Sequence, residues 1–233
     1  MLKLITYHPA FGEPTATPFG VKAMCMLEIS GQKWQVEFAN DPRKGPKSKL
    51  PVLIDADEVI ADSDVIRTHL ETKYALDFDA GLSLEQRATS RAVMRMVEEH
   101  LYFAVVCNRW LNDENWVGVK EKFFNEIPWI INGFVTGKIR KAVRQSVYAQ
   151  GMGRHSVEEQ FTRVNYDIGA IQALLGDKAF LFGDTPTAAD MIVVPMLRGI
   201  AASVAKTRLR ERVLEDEDLM AYLDRGAHTM YPA

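Results

Sequence analysis

In the segment KLPVLIDADEVIADSDVIRTHL, residues 49–70, a proline stands where a β-strand should start. Leu50-Pro51-Val52-Leu53-Ile54 is an apolar run, Asp55-Ala56-Asp57-Glu58 a four-residue turn, and Val59-Ile60-Ala61 a second short run. Asp62-Ser63-Asp64 then supplies residues that open helices. Proline has no N–H to give to a strand ladder, so it is confined to a strand's first position or to an edge. That fixes where the hairpin begins. Only about 5–6% of X-Pro bonds in folded proteins are cis, so periodicity alone leaves the Leu50–Pro51 bond trans.

The flanking pattern extends this hairpin into a small α/β unit. Leu2 to Tyr7 reads as a buried strand, His8 to Thr17 as a Pro/Gly/Thr loop, and Pro18 to Ser30 as a helix ended by Gly31. Trp34 to Phe38 gives another strand, and a helix runs from the Asp62-Ser63 start through Tyr74. The order of strands and helices is that of a compact α/β domain, residues 1–75, with 75–83 as a linker. From Leu84 onward the apolar spacing is helical, over 84–113, 119–150, 156–175, 187–205 and 217–227. Residues 84–233 should therefore form an all-helical second domain.

With 47% hydrophobic and 25% charged residues, the 233-residue chain is ordinary globular material. A net charge of −3 offers no basic footprint for nucleic acid. No run approaches the roughly 18 apolar residues of a membrane span, and the N-terminus lacks a signal-peptide layout, so a cytoplasmic protein is expected. Cys25 and Cys107 lie in separate helical stretches without metal-ligand spacing, the five histidines are dispersed, and no HExxH, G-x-S-x-G or P-loop is present. No metal is expected. At Thr187-Ala188-Ala189-Asp190 a threonine is followed three residues later by an acid, a capping box for an apolar helix.

Two hydroxyl positions stand out. Thr17 precedes Pro18-Phe19, at the N-cap of the first helix with proline at N1. Ser63 follows Asp62 at the start of the second. Taken alone, both read as helix caps.

Together they carry a resemblance. The Pro51 hairpin followed by Asp62-Ser63, and the Gly183-Asp184-Thr185-Pro186-Thr187-Ala188-Ala189-Asp190 box, resemble the glutathione transferase superfamily over nearly the whole chain. Arg109-Trp110 and Gly151-Met152-Gly153-Arg154-His155-Ser156 resemble its failed axon connections and metaxin-like branch. The resemblance implies a thioredoxin-like N-terminal domain followed by a helical bundle, a cis bond at Pro51, and glutathione as co-substrate. It implies that the backbone of Leu50 and Pro51 pairs with the cysteinyl part of the tripeptide. Asp62 would take the γ-glutamyl ammonium, Ser63 its carboxylate, and Lys47 or Lys49 the glycyl carboxylate.

Relatives carry Ser or Cys where this chain has Thr17, which argues against thiol-disulfide exchange and for a hydroxyl that stabilises the glutathione thiolate. Lowering a thiol pKa by 1.5–2 units requires about 2–2.7 kcal/mol. A charge-assisted hydrogen bond contributes about 1.5–3 kcal/mol, and the helix N-terminus about 0.3–1 more. One hydroxyl suffices. Tyr7, at the end of the first strand, is the competing donor, and the sequence does not choose between them. Glu98, Tyr102 and Arg109, spaced i, i+4, i+11 on one helix face, are expected with Phe19 to line a pocket for a small electrophile. The resemblance implies a detoxifying transferase acting as a homodimer; a non-enzymatic adaptor and a glutathione-dependent reductase or lyase are the alternatives.

Overall fold

The computed structural model describes residues 1–124 and 127–232, apart from the side chain of Lys44. Its sheet has four strands, β1 (Leu2–Thr6), β2 (Trp34–Phe38), β3 (Val52–Asp55) and β4 (Glu58–Ala61), in the order β2-β1-β3-β4. β1 runs parallel to β2, with Leu4 opposite Val36, and antiparallel to β3, with Leu4 opposite Leu53. β3 pairs with β4 as a hairpin. Alternation in β1 buries Leu2, Leu4 and Thr6 on the face covered by α1 (Pro18–Ile29) and α2 (Ser63–Tyr74). The other face collects Ile5, Tyr7, Ala39, Leu50, Val52, Ile54 and Ala61 in a smaller cluster. Between β2 and β3 the regular structure is one 3₁₀ turn, Pro42–Lys44.

From Leu84 every element is helical. α3 (Leu84–Met96) continues without a break through a π-turn (Val97–Leu101), α4 (Tyr102–Val106) and a second π-turn (Cys107–Leu111). Then come α5 (Asp113–Phe123), α6 (Trp129–Gln150), α7 (Val157–Leu175), α8 (Asp190–Ala201), α9 (Arg208–Leu214) and α10 (Glu217–Met230). This is a thioredoxin-like sheet domain joined to a helical bundle, and the apolar core runs continuously through both, with α1 packed on α8. No described helix is long and apolar enough to cross a membrane.

Three sequence expectations are corrected. The stretch 119–150 is not one helix: Asn112 caps α5, which ends at Phe123, and Pro128 stands at the N-cap of α6 because its ring cannot continue a helix from the preceding turn. Residues 125 and 126 of that stretch lie outside the described residues. α9 was not expected at all. Strand β1 ends at Thr6, one residue short of Tyr7.

The Thr187 box is realised in altered form. Asp190 accepts from the Thr187 N–H at 2.8 Å, as expected, but the Thr187 hydroxyl also donates to Asp190, at 2.9 Å. The same carboxylate accepts from Leu181 N and Tyr222 Oη, tying α10 to the start of α8. Burial raises the Asp190 pKa against these four donors.

Candidate active site

The Leu50–Pro51 peptide bond is cis, and β3 begins at the next residue. Leu50 is buried, whereas Lys47 and Lys49 in the loop before it are exposed. Across the sheet edge, Asp62 holds φ 92° and ψ 132°, and its side chain accepts from the Asp64 N–H at 2.9 Å. That unusual backbone turns the start of α2 so that Ser63 is buried. Among the described residues, no hydrogen bond engages its hydroxyl.

Asp64 anchors this turn from behind. It accepts from Lys22 Nζ of α1 at 3.0 Å and from Arg91 of α3 at 2.5 Å, and Arg95 lies 3.1 Å away. Burial opposes ionisation of Asp64, but Lys22, Arg91 and Arg95 outweigh it and hold the carboxyl at about 2.

Thr17 stands at the N-cap of α1 in extended conformation, with Pro18 at N1 and no hydrogen bond from its side chain to the helix. Its carbonyl accepts from Gly20 and Val21, so the backbone starts the helix and leaves the half-buried hydroxyl uncommitted. Gly20 makes room for this arrangement: a Cβ there would lie 2.4 Å from Thr6 Oγ1, 2.7 Å from Thr15 Cγ2 and 3.0 Å from Thr17 Cγ2. The loop leading to Thr17 is fixed at several points. Thr6 and Thr15 hydroxyls are 3.0 Å apart, Ala16 N donates to His8 O, and buried Glu13 accepts from Arg198 at 2.8 Å and from Tyr231 at 2.5 Å.

Tyr7 is half-buried, its ring edge-on to Phe123 at 6.0 Å. Burial, with Tyr102 and Asp41 adding to it, raises its pKa to about 12. It stays protonated, able to donate but not to serve as an anion.

The i, i+4, i+11 face of the long helix does meet α1 along its length. Glu98 pairs with Lys22, the Tyr102 ring lies 4.9 Å from Phe19, and Arg109 donates to Ala16 O at 3.4 Å and Gly199 O at 3.0 Å. Glu98, however, is no pocket wall: it is buried and held by Lys22 and Arg95, an ion pair joining the two domains. Arg109 stacks on Phe11, 4.5 Å from the ring centroid, and burial lowers its pKa to about 10, leaving it charged at neutral pH. Phe123 of α5, absent from the residues expected at the site, lies against Tyr7, Phe11 and Trp110.

Elsewhere, donor atoms of Asp55, Glu58 and His69 gather within 4.8 Å of one another. The Lys73 ammonium already lies 3.0 and 2.7 Å from the two carboxylates. His100 bonds Asp167 on α7, a helix-to-helix contact.

A model of the glutathione S-transferase N-terminal domain matches residues 18–115, and one of the C-terminal domain matches residues 164–226. Over 238 residues the chain is 32% identical to isoprene-epoxide–glutathione S-transferase of Rhodococcus sp., covering 97% of each. The chain belongs to the glutathione transferase superfamily. Metaxin-1 of Mus musculus is 25% identical over 99% of this chain and 75% of its own length, which sets this glutathione transferase homologue on the metaxin-like branch. The solved glutathione transferase of Phanerochaete chrysosporium superposes with a TM-score of 0.65 at 16% identity, covering 97% and 96% of the two chains, and shares the superfamily fold.

Proposed function

We propose that the chain binds glutathione through residues 1–75 and conjugates its thiolate to a small electrophile held against residues 84–233. The tripeptide lies extended beside the Leu50–Pro51 backbone, its γ-glutamyl end on Asp62 and Ser63 and its glycyl carboxylate near Lys47 or Lys49. Its sulfur meets the Thr17 hydroxyl at the N-terminus of α1. The observation that carries this reading is the uncommitted Thr17 side chain at a helix start whose capping is done by backbone alone.

In this reading Thr17 donates to the thiolate and the helix N-terminus adds its partial positive charge. Attack forms the S–C bond as the electrophile's leaving bond breaks, and the released electron pair takes a proton from solvent. Phe19, Tyr102 and Phe123 give the electrophile an apolar wall, with Arg109 at its edge. The named substrate of the Rhodococcus relative suggests an epoxide as the electrophile class, with ring opening placing the charge on oxygen.

Calorimetric titration with glutathione, then conjugation assays of wild type, Thr17→Ala and Tyr7→Phe, test the assignment. Thr17→Ala should lose most of the activity and Tyr7→Phe should keep it; the reverse pattern reassigns the donor. The similarity to metaxin-1 favours a second reading, a non-enzymatic binding protein, and absence of glutathione binding at millimolar ligand would decide for it.

A further inference from the structure

Of the 22 residues of α6, only Thr136 and Val147 are buried. The helix rests on the half-buried series Val135, Ile139 and Val143 with Val147, and Arg140 fastens it by donating to the carbonyls of Trp110 and Leu111. Its first turns present something else to solvent. Trp129, Ile130 and Phe134 are 86%, 75% and 68% exposed, with Ile131 beside them at 49%. Single apolar side chains on a surface are ordinary, but four within six residues at one helix end form a patch.

Charge follows directly behind the patch. Residues 127–150 contain Lys138, Arg140, Lys141 and Arg144 and no acidic residue. Arg140 is paired with Asp113 of α5 at 2.7 Å, so Lys138, Lys141 and Arg144 carry the basic charge of this face, in a chain whose net charge is −3. Lys138 lies over the Phe134 ring at 4.3 Å, while Lys141 and Arg144 are exposed. Apolar and basic residues are thus segregated along the axis, a tip and then a collar. At 1.5 Å per residue the tip from Trp129 to Phe134 is about 8 Å long, comparable with the 5–10 Å or so to which interfacial helices bury their apolar groups. Indole rings favour that same boundary.

We propose that the N-terminal end of α6 docks on an anionic phospholipid bilayer. Trp129, Ile130 and Phe134 enter the boundary between headgroups and acyl chains, and Lys138, Lys141 and Arg144 meet the lipid phosphates.

Co-sedimentation of the full chain with vesicles of mixed phosphatidylcholine and phosphatidylglycerol tests this, with phosphatidylcholine vesicles alone as the comparison. Binding is expected only to the mixed vesicles at moderate salt, with tryptophan emission moving to shorter wavelength. The pair Lys138→Glu/Lys141→Glu and the pair Ile130→Ser/Phe134→Ser should each weaken it by about tenfold or more, with an unchanged melting temperature. The wild-type emission shift is read without any variant. No binding to the mixed vesicles overturns the proposal, as does binding that the Ile130→Ser/Phe134→Ser pair leaves intact. It is equally overturned if sedimentation equilibrium shows a dimer that this pair dissociates.

Discussion

The Lys22 ammonium of α1 lies 2.7 Å from Glu98 Oε1 of the long helix and 3.0 Å from Asp64 Oδ1 of α2, with Lys22 and Glu98 both closed off from solvent. Removing one partner of such a pair leaves a buried charge without its counter-charge. Lys22→Met is therefore expected to destabilise the fold by about 3–5 kcal/mol in urea unfolding, and Lys22→Met/Glu98→Leu to recover a large part of that loss. An equal loss in single and double variants would remove the pairing from the account.

Asp64 gives the same junction an acid limit. Its pKa is about 2 in the fold against an ordinary value of 3.8. A depressed carboxyl contributes stability that is complete above the unfolded value and disappears as pH falls through the folded one. Thermal stability should accordingly drop between about pH 4 and pH 2, and Asp64→Asn, less stable at pH 7, should show a shallower decline over that interval. Melting temperatures measured across the range check it.

Binding and thiol activation should separate by residue. Ser63→Ala is expected to weaken glutathione about tenfold or more, the loss of one charge-assisted bond, with the pKa of the bound thiol unchanged. Thr17→Ala is expected to raise that thiol pKa by about 1–2 units and shift the pH profile of kcat/KM upward equally. Thiolate absorbance against pH reads both.

Gly20 permits the Thr17 turn. With a Cβ the position would press on Thr6 Oγ1 at 2.4 Å and on Thr15 Cγ2 at 2.7 Å. Gly20→Ala should cost about 1–3 kcal/mol of stability through overpacking and reduce glutathione affinity as Thr15 and Thr17 move apart. Unfolding curves paired with glutathione titration test both effects.

The elements framing the site were legible because local chemistry marks them. Pro51 starts β3, Pro18 follows the Thr17 cap, and Asp62-Ser63 opens α2. The break between α5 and α6 had a local signal too, Pro128, which the apolar spacing of 119–150 masked. The π-turns had none, since apolar spacing does not report which carbonyl an amide selects. Glu98 looked like a pocket residue because its partner, Lys22, is 76 positions away inside an apolar helix. Glu13 was overlooked for the same reason, its partners Arg198 and Tyr231 lying 185 and 218 positions along the chain. Arg109 was expected at the cleft, but its bonds to Ala16 and Gly199 depend on tertiary approach alone.

Three side chains of one helix, Glu98, Tyr102 and Arg109, reach α1 or the residue just before its cap at three successive heights. α1 is thereby a common ruler for both halves of the molecule. A displacement of the bundle is thereby carried into α1, the helix whose first turn Thr17 starts, through three contacts spread over its length rather than one.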